Sequence, residues 1–318
     1  MQTEPEQALF ADLDLPDALL RAIKQLGYES PSPIQGKSIP ILLEGKNIIG
    51  QAQTGTGKTA AFALPILANI DLKQTAPQAL VLAPTRELAI QVAEAFQVYA
   101  RHMKGFHVLP IYGGADMRGQ LRALKRGAHV VVGTPGRILD HLGRKSLKLN
   151  ELKTVVLDEA DEMLNMGFYE DIKSILTHTP KEKSSWLFSA TMPQEVNTIA
   201  KKFMHEPIEI TVGTKNSGAK NVNHQYFIVG ARERYNTLRA VIGMNPDIFG
   251  CVFCRTKIET QKVAEKLIHD GYKAAAIHGD LSQNQRDAVM QSFRKKKIQL
   301  LIATDVAARG IDVEDITH

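Results

Sequence analysis

The sequence predicts an α/β protein built from two units, each a parallel sheet covered by helices. Short apolar runs rich in Val, Ile and Leu alternate with segments of helical period, the pattern of buried parallel strands linked by helices. The alternation stops at a polar, glycine-bearing stretch after residue 212 and then begins again. The 318 residues, 44% apolar and 23% charged, suffice to bury two cores of ordinary size.

In the first unit the apolar runs place strands at Asn47 to Gly50, Ala79 to Ala83, Val108 to Tyr112, His129 to Gly133, Thr154 to Asp158, Trp186 to Ser189 and Pro207 to Val212. Helices fill the gaps. After Thr85, a plausible cap, Leu88, Val92, Ala95, Phe96 and Tyr99 fall on one stripe, while Glu87 and Glu94 are placed outward. GTKNSGAKN, residues 213 to 221, offers nothing to bury and reads as a linker. The expected division is therefore 1–212, a linker at 213–222, and 223–318. In the second unit strands are predicted at His224 to Val229, Cys251 to Cys254, Ala274 to His278 and Leu300 to Thr304.

Composition narrows the classes. The 39 Lys and Arg against 34 Asp and Glu give a formal +5, compatible with a polyanionic partner. No stretch approaches the roughly 20 consecutive apolar residues of a membrane span. The start, MQTEPEQALF, has no hydrophobic signal core, so a cytoplasmic protein is expected. Cys251 and Cys254 have C-x-x-C spacing, but in a strand side chains three apart point to opposite faces, which favours core cysteines over a metal or redox pair.

Polar residues cluster just past strand ends, where ligands sit in open α/β sheets. The clearest cluster is AQTGTGKT, Ala52 to Thr59, between a strand and an apolar helix. This is a phosphate-binding loop in its required strand-loop-helix setting, with Ala52 replacing the usual first glycine. Gly55 and Gly57 let backbone N–H groups curl around a phosphate, Gln53, Thr54 and Thr56 complete the loop, Lys58 neutralises the β- and γ-phosphates, and Thr59 holds Mg²⁺. A phosphate-bound Mg²⁺ also needs a carboxylate at a neighbouring strand end, which TVVLDEAD supplies at Asp158. Glu159 is then placed to activate the attacking water.

Asp158, Glu159, Ala160 and Asp161 spell the signature of the DEAD-box ATP-dependent RNA helicases of superfamily 2, and from about Phe10 onward the chain resembles that family, in a form that leans bacterial. The resemblance implies two RecA-like domains and Mg-ATP hydrolysis, stimulated by RNA and coupled to local duplex unwinding. GYESPSPIQ looks like the family's adenine-reading motif, implying ATP over GTP: Gln35 pairs with the adenine edge, Tyr28 stacks on its face, and Phe10 lies upstream. The implied catalytic set is Lys58, Asp158, Glu159, Asp161, Ser189 and Thr191, with the Ser189 and Thr191 hydroxyls reaching toward Asp161. PTRELA (Pro84, Thr85, Arg86), Gly113 with Gly114, and TPGR (Thr134, Pro135, Gly136, Arg137) resemble RNA-backbone contacts. In the second unit, Arg255, Gly279, Gln283, Arg286 and Thr304 would lie near RNA, and Gly310 and Asp312 would meet the nucleotide. His278 is assigned no proton transfer.

The partner implied is RNA, single strand and short duplexes without sequence preference, bound by a monomer with no membrane association. Ribosome-assembly or RNA-decay partners are compatible with such a core. The family's last motif, an HRxGRxxR-like arginine set, is absent, so the second domain is expected to be incomplete and the chain to be a fragment. An ATP- and RNA-binding module with little turnover is therefore the alternative. A DNA translocase shares the phosphate loop and the Asp-Glu strand but not the adenine motif, TPGR and Ser189-Ala190-Thr191.

Overall fold

Seven apolar runs of the first unit become β1 (Ile48–Gln51), β2 (Ala79–Leu82), β3 (Val108–Ile111), β4 (Val130–Gly133), β5 (Thr154–Leu157), β6 (Ser184–Ser189) and β7 (Ile208–Thr211). The structure is a computed structural model describing residues 9–53, 55–213, 222–304, 307, 313 and 315–318. All seven strands pair in parallel, in the order β3-β4-β2-β5-β6-β1-β7. β2 and β4 are buried throughout, which is why they read as unbroken apolar runs rather than alternating ones, and β1 is buried throughout as well, its polar Gln51 included.

Alternate residues of each strand feed two cores, one on each face. Val81, Trp186 and Phe188 join Phe62 of α3 (Lys58–Ala68), Phe96 of α4 (Arg86–Tyr99), Leu19 of α1 (Asp17–Gln25) and Ile39 of α2 (Pro33–Leu43). Leu80, Leu82 and Leu187 join Ile138 of α6 (Pro135–Gly143), Met163 of α7 (Ala160–Asn165), Ile172 of α8 (Tyr169–Thr177) and Val196 of α9 (Gln194–Phe203). Leu124 of α5 (Met117–Arg126) packs at the margin of this second core. Thr85 caps α4 as predicted, its Oγ1 accepting from the Leu88 N–H at 3.2 Å.

The chain divides into two compact units, Met1–Lys220 and Asn221–His318. Residues 214–221, which hold most of the predicted linker, lie outside the described residues. In the second unit β8 (Gly250–Cys254), β9 (Ala274–Ile277) and β10 (Leu300–Thr304) form a parallel sheet in the order β8-β10-β9. It is covered by α10 (Arg234–Met244), α11 (Lys257–His269) and α12 (Gln283–Arg294). Phe249 and Phe293, with ring centroids 4.5 Å apart, anchor one core, and Leu267, Ile302 and Ile242 the other.

One predicted strand is corrected. His224 to Val229 pairs with no strand among the described residues, and it leaves Tyr226 86% and Ile228 94% exposed. A short apolar run such as Tyr226 to Val229 becomes a strand only where a sheet edge accepts its backbone groups. Residues 317 and 318 run beside β8: Thr317 N–H donates to the Phe249 carbonyl at 2.7 Å and Cys251 N–H to that of His318 at 2.9 Å.

Cys251 and Cys254 are free thiols that pack on opposite faces of β8, one on each core. Burial raises both, Cys251 to about 11, so neither is a ready nucleophile.

Candidate functional site

The sheet order places the chemistry. β6 lies between β5 and β1, and Gln51 is in register with Ser189, so the segments after these three strands emerge side by side at one carboxyl edge. Ala52 N–H donates to the Ser189 carbonyl at 3.1 Å, tying the phosphate-loop entrance to the β6 end. The segments after β3, β4 and β2 emerge on the other half of the same edge.

The phosphate loop is shaped from outside as well as by its glycines. Gly57 has φ +87°, and a Cβ there would collide with Gln35 Nε2, so no other residue fits this turn without strain. Ser32 Oγ donates to the Thr56 carbonyl at 2.7 Å, and Gln35 Nε2 donates to the Gly57 carbonyl at 3.1 Å. Ser32 N–H in turn donates to Gln35 Oε1 at 2.8 Å, a cap for α2. Gln35 therefore braces the loop, with one N–H and one lone pair still available to a ligand. Ser32 escaped the sequence reading, although S-P-I-Q is a capping-box string. Buried Lys58 donates to the Ala52 carbonyl at 3.0 Å. Tyr28, 44% exposed, stacks on buried Phe10 with centroids 6.4 Å apart.

Past β5 the carboxylates are packed into apolar surroundings. Burial pushes Asp158 up to about 6 against the pull of Lys58. Glu159 rises to about 7 through its own burial and the charge of Asp158. Asp158 Oδ1 is buried with no hydrogen-bond partner, an oxygen suited to a cation. Glu159 sits at φ +51°, a left-handed conformation costing a non-glycine residue roughly 1–2 kcal/mol. Such local strain is typical of functional sites, and nothing in the sequence signals it.

Asp161 is bound inward. Its Oδ2 accepts from the Thr191 N–H at 2.8 Å and the Thr191 hydroxyl at 2.7 Å. Ser189 Oγ accepts from the Asp161 N–H at 3.3 Å and donates to the Thr191 carbonyl at 2.6 Å. The Thr191 hydroxyl thus reaches the carboxylate, whereas that of Ser189 meets only the backbone of Asp161.

On the other half of the edge, the Arg86 guanidinium lies where a Cβ on Gly114 (φ +84°) would clash with it. Pro84 and Thr85 are buried at the end of β2, and Thr134 stands at the N-terminal boundary of α6 without a side-chain capping bond, with Pro135 at the helix's first position. Arg137 Nη1 donates to the Ala115 carbonyl at 3.3 Å, which brings TPGR against the Gly113-Gly114 loop. Gly136 is exposed with open space around it. In the second unit, Thr304 ends β10, and Arg255 and Gly279 follow β8 and β9 at the same edge, with Gln283 and Arg286 on the first turn of α12. Thr54, Gly310 and Asp312 lie outside the described residues.

A glycine-containing loop before a helix, braced from a preceding helix and facing buried carboxylates across a parallel sheet, defines a nucleoside-triphosphate-binding protein of the RecA-like class. Residues 32–199 match the DEAD/DEAH box helicase family, and residues 234–318 match the helicase conserved C-terminal domain. The chain belongs to the DEAD-box helicase family. It is 49% identical over 309 residues to the DEAD-box ATP-dependent RNA helicase CshA of Geobacillus kaustophilus, covering 97% of this chain and 66% of that protein. It is 50% identical over 311 residues to the ATP-dependent RNA helicase DeaD of Mycobacterium tuberculosis, covering 98% of this chain and 55% of that protein. The chain thus spans less than two thirds of these relatives' length. The solved structure of S. cerevisiae Dbp5 bound to RNA and ADP BeF3 superposes with a TM-score of 0.88 at 32% identity, covering 97% of this chain and 78% of that one. No helix among the described residues is long and apolar enough to cross a membrane.

Proposed function

We propose that this chain binds ATP and Mg²⁺ at the β1, β5 and β6 strand ends, binds the RNA backbone at the β2, β3 and β4 strand ends, and hydrolyses ATP in response to RNA. The observation that carries this reading is the buried, unpartnered Asp158 oxygen in the field of Lys58, at the edge shared with the phosphate loop. Among the described residues no cluster of three His, Cys, Asp or Glu could cage a metal alone. Magnesium held by Asp158, the Thr59 hydroxyl and substrate phosphates needs none. When bound, it neutralises developing charge on the phosphates. Lys58 exchanges its carbonyl partner for phosphate oxygens, and Glu159, raised toward neutrality, takes a proton from the attacking water. Tyr28 and Gln35 hold the adenine.

Asp161 and Thr191 join the γ-phosphate side of the site to the end of β6, so a change in nucleotide state reaches that segment through two hydrogen bonds. Arg86 and Arg137, beside exposed glycine backbone, suit phosphates rather than base edges, which favours binding without sequence preference.

The test is ATP turnover with and without single-stranded RNA, by this chain and by a version extended to its relatives' length. RNA should raise turnover, and Glu159→Gln should lower it at least about 100-fold while leaving nucleotide binding intact. Turnover by the extended version that responds to neither would overturn the reading.

A further inference from the structure

Gln120 is a buried polar residue, 6% exposed, on the inner face of α5, and no motif in the sequence singles it out. Its carboxamide is engaged on both ends. Nε2 donates to the Tyr112 carbonyl at 3.1 Å, and Oε1 accepts from Arg137 Nη1 at 3.2 Å and from His141 Nε2 at 3.0 Å. The chemistry fixes this orientation, because a carbonyl only accepts and a guanidinium only donates. His141 therefore carries its proton on Nε2, and its Nδ1 lies 2.9 Å from Ser146 Oγ.

These bonds join three pieces of backbone at one point. Tyr112 immediately precedes Gly113 and Gly114, Gln120 lies on the helix that follows them, and Arg137 and His141 stand one turn apart on α6. The Arg137 guanidinium is held by the Ala115 carbonyl at 3.3 Å, by Gln120 Oε1, and by Asp140 Oδ2 at 3.5 Å from its Nε. Its side chain is 13% exposed. An arginine side chain otherwise gives up much rotamer freedom on binding, and one fixed in advance loses less when it meets a phosphate.

We infer that Gln120 is a positioning residue for RNA binding, setting the Arg137 guanidinium and the Gly113-Gly114 loop in one fixed geometry toward the phosphate backbone. The inference rests on the RNA-binding role proposed above for Arg137. A merely structural Gln120 would stabilise the fold without acting through Arg137, and the two roles separate in a double-mutant cycle.

The experiment measures affinity for oligouridylate, with ADP and beryllium fluoride present, for wild type, Gln120→Met, Arg137→Gln and the double variant. Nucleotide binding without RNA and the thermal melt of each protein serve as controls. Arg137→Gln should weaken RNA binding about 10-fold and Gln120→Met about 5-fold, and the double variant should bind no more weakly than Arg137→Gln alone, with nucleotide affinity unchanged. If Gln120→Met does not melt cooperatively, Gln120→Ala, which also removes the carboxamide that Arg137 meets, supplies the same cycle. Wild-type RNA affinity in Gln120→Met, or full multiplication of the two losses in the double variant, overturns the positioning role while the RNA reading stands. An Arg137→Gln protein that binds RNA as tightly as wild type overturns both.

Discussion

Asp161 shows how much a single side chain depends on its neighbours: one oxygen takes two donors from Thr191, and the carboxylate is 5% exposed. A hydrogen bond to a charged group contributes about 1.5–3 kcal/mol net, so Thr191→Val should destabilise the first unit by an amount in that range. Urea unfolding followed by the fluorescence of Trp186, the one tryptophan of the sequence and a buried residue, reads this directly. His141 gives a pH-dependent counterpart. It is fully buried, and burial first, then the positive charge of Arg137, lowers its pKa below the ordinary 6.5. On acidification through 6.5 the unfolded chain gains a proton that the folded chain refuses, so this group's stability is present above 6.5 and lost below it. Wild type should therefore lose more stability between pH 7.5 and pH 5.5 than His141→Gln does, again by Trp186 fluorescence. Asp158 and Glu159, raised by burial, titrate with the opposite sign, but equally in both proteins.

At the scale of elements, the fold was legible wherever a strand is buried on both faces. β2 and β4 announce themselves as ALVL and VVVG, and structure and sequence differ there by one residue at an end. The capping signal at Thr85 held for the same reason, since it is local: the cap oxygen and the Leu88 N–H that donates to it lie three residues apart. His224 to Val229 failed because its pattern is also local, whereas pairing is a property of the edge it would have to join. The site divides in the same way. GTGKT and DEAD are contiguous strings whose chemistry the sequence displays, but Gln120 reaches Arg137 across 17 positions and Ser32 reaches Thr56 across 24. No periodicity marks contacts of that kind.

At the scale of the whole molecule, the two units bury separate cores. The smaller three-stranded unit has less surface to bury per residue and should unfold first. Far-UV circular dichroism, which sees both, should show a transition at lower urea than Trp186 fluorescence, which sees only the first. A single coincident transition would contradict independent cores. RNA affinity should fall with salt, with a log-log slope near −0.7 for each phosphate neutralised on a single strand. Arg137→Gln should make that slope shallower by about 0.7, whereas Glu159→Gln, on the half of the edge proposed to hold the nucleotide, should leave it unchanged. Titrations of oligouridylate across a salt series measure both.

The sequence by itself determined the class of fold and most of the strands along the chain, and it displayed the candidate phosphate-binding strings, because burial and phosphate chemistry each act through short contiguous patterns. Tertiary structure alone decided the rest. The order of strands across the sheet puts the candidate nucleotide loops on one half of an edge and the candidate RNA loops on the other. Only packing turns Gln35 into a brace for the phosphate loop, gives Glu159 its left-handed backbone and assigns the Thr191 hydroxyl to Asp161. The physical reason is that these are hydrogen-bond and steric constraints between segments distant in sequence, which exist only once the sheet has brought their ends together.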